Sequence, residues 1–183
     1  TFTVNEGMPD DIVNSLFEDS YGNIWFGTGK GLVKFDDDNL TIYNTDNGLA
    51  NNDIRTICED RYGNIWIGTY AGGISVLKGD EFWNYTTNEG LPTNHINKIF
   101  KDRDGNIWVS TTDSGVLRFN GKSFEHYTVK EGLSNNSTRE ITQDSQGNIW
   151  IGTVNGGVLK FDGKLFTRFG LEEGMSSNYI RAI

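Results

Sequence analysis

Asp60-Arg61-Tyr62-Gly63-Asn64-Ile65-Trp66-Ile67-Gly68-Thr69 is the stretch on which the reading of this chain turns. Its centre, Gly-Asn-Ile-Trp, occurs at Gly22–Trp25, Gly63–Trp66, Gly105–Trp108 and Gly147–Trp150, at spacings of 41, 42 and 42 residues. A second marker keeps the same beat: Gly7-Met8, Gly48-Leu49, Gly90-Leu91, Gly132-Leu133 and Gly174-Met175. The short first interval is a local deletion. Gly29-Lys30-Gly31 stands where a later repeat has Tyr70-Ala71-Gly72-Gly73. Two markers in one phase make the chain a tandem repeat, and a period of this length points to a solenoid or a propeller.

Working outward from Trp66, one repeat contains four short apolar runs: 54–59, 64–69, 74–78 and 81–86. Turn residues separate them: Asp60 to Gly63, Tyr70 to Gly72, then Gly79-Asp80. Elsewhere Asn120-Gly121 and Asp162-Gly163 supply the positive φ that two-residue hairpins require. No segment carries a helical apolar period over ten residues, so the fold class is all-β, in four-stranded antiparallel units. Ile65-Trp66-Ile67 is apolar on both faces, which suits a strand covered on both sides. A sheet of ~42 residues cannot cover itself. It must stack on copies of itself, and radial stacking gives a β-propeller. A buried Trp contributes roughly 4–6 kcal/mol of gross transfer energy, an upper bound before ordering costs. Trp25, Trp66, Trp108 and Trp150 are the expected anchors between blades.

The repeats occupy 13–53, 54–95, 96–137 and 138–179. Phe2 falls in the phase of Tyr43, Tyr85, Tyr127 and Phe169, and Ile183 in that of Ile57, Ile99 and Ile141. Residues 1–5 and 180–183 are therefore expected to be partial strands. The chain starts at Thr1 and reads as an arc excised from a larger propeller. The alternative is a natural protomer whose open blade faces meet a second copy, a homo-oligomer. The expected partners are accordingly the remaining blades or another copy.

Composition narrows the function. The chain of 183 residues has 25 acidic and 16 basic residues, a formal net charge of -9. That balance opposes sequence-independent nucleic-acid binding and polybasic membrane contact. No apolar run exceeds three residues, so no membrane-spanning helix is expected. Cys58 is the single cysteine, which excludes an internal disulfide and a cysteine-based zinc site. No metal or other cofactor is expected.

The repeat resembles the two-component regulator propeller family. The resemblance lies in Asp60-x-x-Gly63-Asn64-Ile65-Trp66-Ile67-Gly68-Thr69, then Gly72-Gly73, an aromatic strand, and Glu89-Gly90-Leu91-Pro92-x-Asn94. It returns at Asp144 to Thr153 with Gly156-Gly157, departs at Ser110 where Gly is the pattern, and covers essentially the whole chain. It implies an extracytoplasmic, periplasmic sensor region of a bacterial histidine kinase or hybrid regulator, many of which respond to carbohydrates. None of the kinase, membrane or DNA-binding parts lies in this sequence.

Residues present in every blade read as scaffold. Asp19, Asp60, Asp102 and Asp144 precede the turn glycine and suit side-chain acceptance of backbone N–H groups. Asn52, Asn94, Asn136 and Asn178 suit a turn or cap. Function belongs where blades differ. Antiparallel alternation puts the loops after the second and fourth strands at one end of each sheet. That end carries Lys30, Tyr70, Asp113 and Asn155, with His95 and the strand starts Arg55, Arg139 and Arg181 beside them. Arg offers bidentate hydrogen bonding and Tyr a stacking face, which suits a polar, hydroxyl-rich or carboxylated ligand. The expected ligand-binding set is Arg55, Tyr70, His95, Asp113, Arg139, Asn155 and Arg181. Trp83 and His126 lie on outer strands, and Cys58 reads as a small buried apolar group. Three function classes stay open: a carbohydrate sensor, a protein-interaction scaffold and a propeller lyase. With two histidines and no Ser-His-Asp or paired-Glu spacing, the first is preferred and no catalytic residue is assigned.

Overall fold

Each repeat forms one four-stranded antiparallel sheet with strands in chain order. The computed structural model describes residues 3–36 and 39–183. It divides into two compact units, Thr1–Ile96 and Asn97–Ile183. The first unit holds β1 (Val13–Glu18), β2 (Ile24–Thr28), β3 (Leu32–Asp36) and β4 (Asn39–Tyr43), then β5 (Ile54–Glu59), β6 (Ile65–Thr69), β7 (Ile74–Lys78) and β8 (Glu81–Tyr85). The second holds β9 (Ile96–Lys101), β10 (Ile107–Thr111), β11 (Val116–Phe119) and β12 (Phe124–Tyr127), then β13 (Thr138–Gln143), β14 (Ile149–Thr153), β15 (Val158–Phe161) and β16 (Phe166–Phe169). β9 begins one residue before the second unit. The expected strands of the Ile54 repeat agree with these to within a residue at each end.

The turn ahead of each second strand is built on one carboxylate. Asp60 Oδ1 accepts the backbone N–H groups of Tyr62 (2.8 Å) and Asn64 (3.0 Å). Its Oδ2 accepts the Asn64 side-chain amide (2.8 Å) and the Trp66 indole N–H (3.0 Å). The Asn amide and indole bonds recur at Asp19, at Asp102 and at Asp144. The aspartate thus does what the turn chemistry predicts, and also fixes the Trp ring and meets the polar need of a buried indole. Trp25, Trp66 and Trp108 are at most 3% exposed, and Trp150 is half-buried. Each ring also packs on the aromatic residue ending its own fourth strand, as Trp108 does on Tyr127 with centroids 5.9 Å apart.

Within each unit the two sheets share a core. Trp25 joins Ile54, Ile65, Ile67 and Leu77 in the first. Trp108 joins Ile141, Ile149, Ile151 and Phe161 in the second. The sheets approach closely because the fourth residue of the second strand is small. A Cβ on Gly27 would lie 2.6 Å from Ile54 Cγ2. Ser110, where the repeat departs from Gly, is fully buried and donates its hydroxyl to the Arg139 carbonyl at 3.0 Å. The extra atom is tolerated because it bonds the neighbouring sheet.

Short helical turns punctuate the repeat boundaries, and one expectation there is corrected. Five 3-10 turns, Val4–Glu6, Thr45–Asn47, Thr87–Glu89, Val129–Glu131 and Leu171–Glu173, precede the marker glycines. Thr86 and Glu89 form a reciprocal cap on one of them, and Gly90 ends it at φ 97. Leu91 is then buried. Residues 3–5 and 180–183 are not the partial strands expected. Thr1 and Phe2 lie outside the described residues, Thr3 caps the first 3-10 turn, Val4 and Asn5 belong to it, and residues 180–183 form no strand. A strand requires a ladder partner, and among the described residues none pairs with this segment. Ile180 nevertheless sits where a first strand would, its N–H donating to the Thr153 carbonyl (3.1 Å) and its side chain against Gly152.

Trp108→Ala is expected to lower stability by about 3–5 kcal/mol in chemical denaturation, the cost of truncating a core aromatic. The turn carboxylates set the acid limit. Donation by Asn148 and then Trp150 lowers the Asp144 pKa from 3.8 to about 2. Burial by itself would raise Asp19 and Asp60, but donation from the paired Asn and Trp outweighs it and lowers both. A folded-state pKa below the unfolded value contributes stability above the unfolded pKa, which is lost as pH falls through the folded one. Unfolding free energy should therefore drop between about pH 4 and about pH 2, and Asp144→Asn should flatten that drop.

Candidate functional site

The loop after a second strand is hydrogen-bonded to the loop after the fourth strand of its own sheet or of the preceding one. Gly73 N–H donates to the Asn94 carbonyl (2.9 Å) and Tyr70 N–H to that of Asp53 (3.0 Å) in the first unit. In the second, Gly115 donates to Asn136 (2.7 Å), Val154 to Ser137 (2.8 Å) and Gly157 to Asn178 (2.9 Å). The end of the sheet on which the sequence places its variable residues is therefore one continuous surface within each unit. Gly73 is obligatory there. Its φ is +78, and a Cβ would lie 2.3 Å from the Tyr85 carbonyl oxygen. Asn52, Asn94, Asn136 and Asn178 cap this edge, as expected. The Asn94 side-chain oxygen accepts from Thr87 N–H (2.8 Å), and the others repeat it seven residues from their 3-10 turns.

The chemistry on this edge is aimed by a bulge. Ladder register shifts between Val13 and Ser15, between Ile54 and Thr56, and between Thr138 and Glu140. The residue left out of the ladder is Asn14, Arg55 or Arg139. A bulge re-aims a side chain without ending the strand. Where the residue is Asn, the amide crosses to the next sheet: Asn14 donates to the Ile54 carbonyl (3.1 Å) and Asn97, at the same strand position, to that of Thr138 (2.7 Å). Where it is Arg, the side chain makes no such bond and is exposed.

In the first unit three of the expected residues meet. The Arg55 guanidinium lies 4.8 Å from the Tyr70 ring centroid, and the His95 ring meets Tyr70 edge to face at 5.4 Å. Asp53, two residues before Arg55, accepts from it at 3.1 Å. His95 is half-buried, with Nδ1 3.4 Å from the Thr93 hydroxyl. Tyr70 is 50% exposed, so its ring is open to a ligand.

In the second unit Arg139 and Arg181 lie 5.4 Å and 5.5 Å from the centroid of one ring, Tyr179. Tyr179 is the residue that sequence reasoning missed. It stands in register with His95, immediately before a first strand, and aligning Ile12, Asp53, His95, Ser137 and Tyr179 would have found it. Asp113 and Asn155 do not join either cluster. Asp113 is exposed and accepts only from its neighbour Ser114 (2.9 Å). Asn155 is exposed at φ 64, where Asn is among the residues that tolerate left-handed backbone. Lys30 lies 4.0 Å from Asp10. His126, on an outer strand, bonds the Ser114 carbonyl of the loop after β10. Away from this edge, Cys58 is buried, and Trp83 is 54% exposed beneath the Lys78 ammonium.

Four sheets of this construction, each with its Trp-anchored turn, are blades of a β-propeller. The chain belongs to the two component regulator propeller family, whose model matches residues 7–30, 48–71, 90–113 and 132–155. Each match runs from the glycine ending a 3-10 turn to the loop after the second strand. The chain is similar to the extracellular domain of BT3049 from B. thetaiotaomicron, described as part of a hybrid two component system. The identity is 29%, with 93% of this chain and 24% of that one covered, at a TM-score of 0.85. It is also similar to the extracellular domain of BT4673 from the same organism, 28% identical over 91% of this chain and 26% of that one, with a TM-score of 0.76. It thus spans about a quarter of the length of these structures. A virginiamycin B lyase from Staphylococcus aureus shares the fold, at 18% identity over 89% of this chain and 57% of that one, with a TM-score of 0.72. No curated protein sequence matches the chain.

The two uses of the bulge position separate in stability. Asn97→Ala strands the Thr138 carbonyl and should cost about 1 kcal/mol. Arg139→Ala, at the same position one blade on, should stay within about 0.5 kcal/mol of the parent in the same denaturation experiment.

Proposed function

We propose that this chain is part of the ligand-reading propeller of an extracytoplasmic bacterial sensor, that it acts by binding and not by catalysis, and that its ligand is carbohydrate-like. The observation carrying this reading is the Arg55–Tyr70–His95 cluster. A half-exposed aromatic ring flanked by a guanidinium and an imidazole offers a sugar a stacking face and directed hydrogen bonds. Neutral hydrogen bonds contribute about 0.5–1.5 kcal/mol each, so micromolar affinity needs several contacts together. An edge shared by successive blades supplies them. Membership of the two component regulator propeller family and likeness to extracellular sensor domains support the sensing role and the location. Catalysis has less support. The lyase resemblance is one of fold, and the edge groups described make no general acid–base pair. In the same reading the outer blade faces meet further blades, of the same protein or of a second copy.

The test is calorimetric titration of the full-length protein with a panel of oligosaccharides. A binder is expected with micromolar Kd, recovered chemically unchanged, and Arg55→Ala with Tyr70→Ala should weaken it at least about tenfold. Failure of the whole panel to bind would remove the carbohydrate reading. Unchanged affinity in the double variant would move the site elsewhere, and conversion of the ligand would make the protein an enzyme.

A further inference from the structure

Arg139 and Arg181 flank Tyr179 with no acidic partner. Five ion pairs occur among the described residues, and each cation in them faces Asp or Glu. Neither Arg139 nor Arg181 is among them, in a chain with 25 acidic residues to 16 basic ones. Comparison of the blades shows where the acid is lacking. Two residues before Arg55 stands Asp53, and the two are paired. Two residues before Arg139 stands Ser137, and two before Arg181 stands Tyr179. The one carboxylate adjacent in sequence to Arg139, Glu140, is held by Lys98 at 3.0 Å.

The arginine of this edge is thus paired with an acid in the first unit, whereas Arg139 and Arg181 enter none of the five ion pairs in the second. Two guanidiniums held by one ring repel each other, and an anion bound at either relieves that repulsion. Each guanidinium presents a fork of donors that matches a carboxylate or sulfate oxygen pair, and gives up water more readily than an ammonium would. The backbone that carries the ring is itself held in place. Tyr179 N–H donates to the Ser177 hydroxyl (2.9 Å), and the neighbouring Asn178 caps the turn at Leu171 (3.0 Å).

Resting on the reading of this edge as the ligand-binding face, we infer that Arg139, Tyr179 and Arg181 form an anion subsite for a carboxylate or sulfate group borne on the sugar ligand. In the second unit the arginines take the charged substituent of the sugar. The ligand class is an acidic oligosaccharide, either a uronate or a sulfate ester.

The experiment compares uronate, sulfated and neutral oligosaccharides of equal length by calorimetry on the full-length protein, at about 50 mM and about 300 mM salt. One of the acidic sets is expected to bind at least about tenfold tighter than the neutral set, with the advantage shrinking at the higher salt. Whichever acidic set wins identifies the anion. Arg139→Gln with Arg181→Gln should erase the advantage. Lys122→Gln with Lys164→Gln removes the same charge from the opposite end of these sheets and should keep it. Arg139→Lys with Arg181→Lys, which retains charge and loses the fork, should fall between. The advantage of acidic over neutral sugar in the unaltered protein decides the matter even if a variant fails to fold. If neutral sugars bind as tightly as acidic ones, or the advantage survives loss of both arginines, the anion subsite is wrong while the sugar reading stands. If no oligosaccharide binds, both fall together.

Discussion

A single carboxylate per blade organises this protein. The aspartate of each turn accepts backbone N–H groups, a neighbouring Asn amide and the indole N–H of a Trp six residues on. One side chain thereby closes a tight turn, satisfies buried donors and locks the largest side chain of the core in one orientation. An indole buried without an acceptor would cost free energy, and a turn without its acceptor would leave backbone donors unpaired. Because the Trp25 and Trp108 rings lie between the two sheets of their units, local turn geometry becomes packing geometry. The repeat spacing of 41 or 42 residues is then the length needed to rebuild that arrangement once per blade.

The opposite end of each sheet has a different logic. Its backbone is as constrained, through 3-10 turns, left-handed glycines and bonds between the two loops. Its side chains are free to vary because the constraint is carried by the main chain. The bulged second residue of the first strand shows this. Asn14 and Asn97 spend their amides on the neighbouring sheet, whereas Arg55 and Arg139 are turned outward. One backbone feature serves as a cross-link or as a binding surface, according to the residue it presents. Binding chemistry can thus change blade by blade without altering the packing that holds the blade.

Repeat length, strand order, the anchoring Trp and the turn aspartate were all legible in the sequence, because each rests on short-range chemistry repeated in phase. Turn residues state their own φ, and alternation of apolar residues states which runs are strands. The 3-10 turns were missed although their capping residues were visible, as in Thr86-x-x-Glu89. Three residues are too few to show a helical period. The 180–183 segment was read as a strand from its phase, but phase supplies side-chain pattern and no ladder partner. The loops and strand starts that hold variable polar residues were located correctly, since alternation of strand direction alone dictates them.

The sequence by itself determined the fold, the register of every blade and the edge on which variable chemistry collects. These follow from local propensity and from a pattern that can bury its apolar faces in only one way. Only the tertiary structure decided which of those variable residues act together. Arg55, Tyr70 and His95 are separated by 15 and 25 residues in the chain and meet through the contact of two loops. Asp113 and Asn155, equally polar, do not join the cluster of their own unit. The ring shared by Arg139 and Arg181 was invisible until the backbone brought Tyr179 beside both. The physical reason is one of range. Backbone chemistry acts over a few residues and is written in order along the chain. A binding cluster depends on side-chain directions set by bulges and loop contacts, which exist only once the sheet has formed.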